Sequence, residues 1–131
     1  MRTISARLLL ALAALLSFAC AAIHASAYGR ASGAIAASTL APFFGAAFRG
    51  LWLIDSAAQL VLGLALALIA LKPRSASRLL IAILALIPAA TAALLYDYMG
   101  NFPPAYVLAA ATIMIFAGAL LLPSQTERTS P

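Results

Sequence analysis

The stretch FRGLWLIDSAAQLVLGLALALIAL, Phe48 to Leu71, decides the fold. A bilayer-spanning helix needs about 20 predominantly apolar residues, and this run supplies them outright. Beyond Gln59 it is wholly apolar, yet it carries Asp55 and Gln59 one helical turn apart. At about 100° per residue, Arg49, Trp52, Asp55, Ser56, Gln59 and Gly63 fall within an arc of roughly 120°. The remaining surface is Leu, Ile, Val and Ala. A charged group facing lipid costs about 2.5–3.5 kcal/mol on insertion scales, so the polar arc is expected to face the interior of a helical bundle. The i,i+4 spacing lets Asp55 and Gln59 hydrogen-bond to each other. Arg49, three residues before Trp52, is placed for a cation–π contact.

Composition agrees. Of 131 residues, 66% are hydrophobic and 8% charged, against about 25% charged in soluble domains. So few polar groups cannot cover a soluble fold of this size. Three further runs complete the pattern: LLLALAALLSFACAAI (Leu8 to Ile23), LLIAILALIPAATAALLY (Leu79 to Tyr96) and AYVLAAATIMIFAGALLL (Ala105 to Leu122). They are continuous rather than alternating, which argues against a β-barrel. KPRSASR and DYMGNFPP, with Pro73, Gly100 and the Pro103–Pro104 pair, read as short turns, so the helices they join should be antiparallel neighbours. The expected fold is all-α: an integral membrane antiparallel four-helix bundle in one domain, with spans near 8–25, 49–71, 79–97 and 105–122 and a short cytoplasmic tail at 123–131.

The segment Ala25 to Ala47 is Ala/Gly/Ser-rich and too weakly hydrophobic to read as a span. Ser38 or Thr39 is placed to cap a helix starting near Pro42, because proline suits the first helical turn. The second helix then runs from Pro42 to Leu71. The first run has a competing reading: Arg2 and Arg7, an apolar core and Ala25-Ser26-Ala27 resemble a signal peptide, whose cleavage would leave three spans. Its length favours an uncleaved helix forming the fourth wall.

The net charge of +5 does not point to nucleic acid, because the cations flank the apolar runs. With the N-terminus cytoplasmic, Arg2, Arg7, Lys72, Arg74, Arg78 and Arg128 lie inside and Arg30 and Arg49 outside, a positive-inside bias. The C-terminus is then cytoplasmic too. Seven arginines to one lysine and abundant alanine suggest a bacterial chain, hence the inner membrane. One cysteine, Cys20, excludes an intrachain disulfide.

The other helices add polar residues. Ser17, Cys20 and His24 share a face of the first helix, and Thr91 and Tyr98 share one of the third. All of these, with Arg49 to Gln59 and Tyr106, fall in the outer half, while Leu8–Leu15, Leu60–Leu71, Leu79–Ile87 and Ile113–Leu122 carry no polar side chain. A pore would need polarity through both halves, whereas a pocket open to the outside would not. The candidate ligand-binding residues are therefore Asp55 and Gln59 as anchors, Trp52 and Tyr98 as walls, and Arg49 and His24 beside them. Asp55 also has a plainer reading, an interfacial residue that pairs with Arg49 or Gln59 and orients the bundle. His24 and Cys20 alone make no metal site. Phosphate loops, zinc-protease motifs, nucleophile elbows and paired carboxylates are missing, so neither an enzyme nor a cofactor is expected. The expected partners are the lipid bilayer and an amphipathic small molecule. A structural or interaction subunit in a membrane complex is the alternative, and a small proton-coupled transporter a third reading.

The stretch PFFGAAFRGLWLIDSAAQLVLGLALALIALKP, the helix after it, GNFPP and a last helix resemble in layout the small four-span bacterial membrane proteins of unknown function around the DoxX-like group. The likeness rests on that order and on Phe48, Trp52, Gly63 and Pro73. It implies a four-helix membrane bundle and carries over no catalytic residue. The small multidrug exporters share the size and span count, but their defining glutamate in the first span has no counterpart here.

Overall fold

The computed structural model describes residues 1–122, except the side chain of Arg74. The tail expected at 123–131, with Arg128, lies outside the described residues. Every regular element described is helical: α1 (Arg2–Ser26), α2 (Tyr28–Ala36), α3 (Pro42–Leu71), a 3-10 turn (Pro73–Ser75), α4 (Arg78–Met99) and α5 (Pro103–Leu121). Four helical segments are long and apolar enough to cross a membrane: α1 continued by α2, then α3, α4 and α5.

The boundaries follow local chemistry. Proline occupies the first turn of α3 and of α5, where its missing N–H costs nothing. Ser77 caps α4, its Oγ accepting from the Leu80 N–H at 3.1 Å. Gly100 ends α4 with φ 67°, its N–H donating to the Tyr96 carbonyl at 2.9 Å. A side chain is strained at that dihedral, so glycine is required there. Pro88 sits within α4, which continues past it.

One segment without an assigned structure takes shape, and one boundary expectation needs correction. The weakly hydrophobic stretch after Ala25 contains a helix of its own, α2, separated from α1 only by Ala27. Alanine-rich sequence is a good helix former even where it is too polar for a span. Neither Ser38 nor Thr39 caps α3. Its N-cap is Ala41, without a side-chain bond, and the Ser38 hydroxyl turns back to donate to the Ile35 carbonyl at 2.7 Å.

Packing uses one stripe of each helix. Ala6, Leu10, Ala13, Ala14, Ser17 and Ala21 are the buried face of α1, and Ala105, Leu108, Ala111, Ile115, Gly118 and Ala119 that of α5. Small residues let backbones approach closely. A Cβ at Gly63 would lie 2.8 Å from the Phe18 ring, and one at Gly118 would lie 2.9 Å from Leu10 Cγ. The outer faces carry Leu8, Leu12, Leu15, Leu60, Val61, Leu64, Leu68 and Leu120. Small residues stand at the close helix approaches, the core between them holds Leu10, Leu62, Leu66, Ile81 and Ile115, and the outer faces are rich in large aliphatics.

The helices pack in the order α3, α1, α5, α4. The α4–α5 pair packs closely, as its short turn predicts. The other turn-linked pair does not: α3 and α4 form no extensive interface, and an apolar groove of about 450 Å³ separates them. A short turn sets direction, whereas the small-residue stripes of α1 and α5 set which faces meet. At the arginine-rich end, Arg7 Nε donates to the Ala70 carbonyl at 2.9 Å and Arg78 Nε to the Leu122 carbonyl at 2.5 Å. Each cation satisfies a carbonyl at a helix C-terminus, where the macrodipole is negative.

Candidate functional site

At the opposite end, α1 and α3 bring together residues remote in sequence. Their antiparallel register puts the last turn of α1 beside residues 52–55 of α3. Trp52 Nε1 donates to the His24 carbonyl at 2.8 Å, tying α3 to the end of α1. The Trp52 and His24 rings lie 4.2 Å apart and tilted by 36°. On the other side of the imidazole, His24 Nδ1 stands 3.5 Å from Asp55 Oδ2, a charge-pair distance rather than a well-made hydrogen bond. The two side chains are 32% and 35% exposed, so the pair is held by the fold yet open to a ligand.

Deeper in the same seam lies Gln59. It is 2% exposed, and neither amide atom finds a partner among the described residues; nor does the buried His24 Nε2. Ser56 and Ser17 are buried nearby in the two helices, but their hydroxyls donate to carbonyls of their own helices, Trp52 and Ala13, at 3.3 and 3.0 Å. A buried amide left unpaired costs about 1–3 kcal/mol, so Gln59 is a strong acceptor and donor held in reserve.

Several expected contacts are replaced by others. Asp55 does not bond Gln59; it reaches across the seam to His24, while Gln59 enters the seam centre. Arg49 does not cover Trp52, whose ring face is taken by His24; its Nε donates to the Gly45 carbonyl at 3.2 Å. Tyr98 is 83% exposed on α4 and stands apart from the cluster. The Thr91 hydroxyl bonds the Ile87 carbonyl at 3.0 Å, so α4 contributes nothing to the patch, which belongs to two helices and not three. His24, Trp52, Asp55 and Gln59 do converge on one seam. The His24–Asp55 pair itself was not foreseen, although the two polar stripes at one depth were its visible signal.

No group of three metal-ligating side chains occurs among the described residues. The chemistry open to the cluster is hydrogen bonding, charge pairing and aromatic contact. Comparison with protein-family models, curated proteins and solved structures returns no match, so the reading of this site rests on its geometry.

Proposed function

We propose that this chain is a multi-pass protein of a bacterial inner membrane, both termini cytoplasmic, that binds an amphipathic small molecule in the outer half of its bundle without chemically altering it. The observation that carries the reading is the confinement of unpaired or half-exposed polar groups, His24, Asp55 and Gln59, to one end of an otherwise apolar bundle. Ionisable residues within membrane-spanning helices mark functional sites by default. The many large aliphatics exposed on the outer faces, Leu8, Leu12, Leu60, Leu64 and Leu68 among them, suit lipid as the surroundings. In this reading α1, which lies between α3 and α5 at the centre of the packing, stays in the working protein. Asp55 anchors the polar end of the ligand and Trp52 walls it. The test is comparison of organic extracts of purified wild type and Asp55→Ala. A species enriched in the wild type and missing from the variant is expected; identical extracts would end the anchor role.

A second reading, an interaction subunit, is favoured by one feature. The N-terminal turns of α3 expose Phe43, Phe44 and Phe48, an apolar surface of the kind that marks contact sites. Cross-linking in intact membranes would then yield a discrete complex; monomer alone would count against it.

A further inference from the structure

The groove between α3 and α4 extends the reading of the Asp55 cluster as a ligand site, and rests on it. Asp55, Ala58, Leu62 and Ala65 follow one another along α3 at spacings of three and four, which makes them one stripe of the helix. The last three line the groove, faced by Leu84 and Ile87 of α4. The groove thus runs directly inward from the level of the carboxylate, and every residue lining it is apolar. From Ile54 to Ala65 a helix rises about 16 Å. That is about half of the ~30 Å hydrocarbon layer, so the groove is one leaflet deep. Its volume is about 450 Å³. An extended alkyl chain of that length fits along it, and the Asp55 carboxylate level with its outer end gives a polar head a partner.

We propose that the α3–α4 groove seats the single acyl or alkyl chain of an outer-leaflet amphiphile whose head, an ammonium or hydroxyl group, donates to Asp55. An anionic head is disfavoured, because it would meet the carboxylate at close range. The alanines are what make room: Ala58 is exposed and Ala65 half-buried, so a phenylalanine at either position fills the groove without entering the α1–α3 seam.

The experiment is photolabelling of the intact protein in proteoliposomes with a long-chain alkyl amine carrying a diazirine at its chain end, followed by peptide mass spectrometry. The expected labels fall on the inner part of the groove, around Ala65 and Leu84, and drop about tenfold, equivalent to about 1.4 kcal/mol, in both Ala58→Phe and Asp55→Asn. Ala93→Phe, in the separate α4–α5 groove, leaves them unchanged, and the matching carboxylic acid labels about tenfold less. Ala65→Phe serves as a second filling variant, and each variant is checked for wild-type elution and helicity. Labelling that survives both filling variants but falls in Asp55→Asn overturns the groove while the Asp55 site stands. Labelling indifferent to all three substitutions overturns both, and equal labelling by amine and acid overturns the choice of head.

Discussion

Gln59 is the least comfortable residue of the bundle. Its amide is buried without a protein partner, and such a group costs more than an apolar side chain of similar size. Gln59→Leu is therefore expected to hold or raise the thermal midpoint in detergent by a few degrees while lowering ligand retention. A marked fall in the midpoint would mean the amide is satisfied within the fold. Gly63 is the opposite case. With a Cβ placed 2.8 Å from the Phe18 ring and 3.2 Å from the Ala14 carbonyl oxygen, Gly63→Ala should destabilise by about 1–3 kcal/mol, read from the same melts. That Gln59 and Gly63 face inward was legible in the sequence, because helical geometry puts them on one polar arc. That Asp55 leaves Gln59 for His24 was not. The choice depends on the register of α1 against α3, and neither stripe alone contains it.

At the scale of elements, the arginine end closes the bundle. Arg7 ties α1 to the end of α3, and Arg78 ties α4 to the end of α5. Arg7→Ala and Arg78→Ala should each cost about 1.5 kcal/mol, the lower end of the range for hydrogen bonds from charged groups, because both bonds are only partly buried. The loss should show as faster limited proteolysis at the Lys72–Ser77 turn; unchanged cleavage would reduce these arginines to topology signals. The four long apolar runs and the start of α3 at Pro42 were readable from length and proline placement. The separation of α3 from α4 was not. In a chain this rich in alanine, small-residue stripes occur on several faces, and only the assembled packing shows that those of α1 and α5 prevail. Helix α2 has no signature in the apolar pattern, because its Ala/Gly/Ser-rich sequence becomes helical without the length or hydrophobicity of a membrane span.

The whole molecule is asymmetric: cations and helix C-terminal caps stand at one end, an imidazole–carboxylate–indole cluster at the other. In a Cys20→Ser background, a cysteine at Ser75 should react with an impermeant maleimide only after the membrane is opened, and one at Asn101 in intact cells. The reverse pattern would invert the proposed orientation. We propose that the His24–Asp55 end holds an amphiphile. The most direct test is native mass spectrometry of the intact protein in mild detergent, wild type beside Asp55→Asn. A discrete adduct is expected on the wild type and is lost from a variant otherwise unchanged in fold and oligomeric state. Identical spectra, or no adduct and a variant that loses an oligomer, would contradict the proposal.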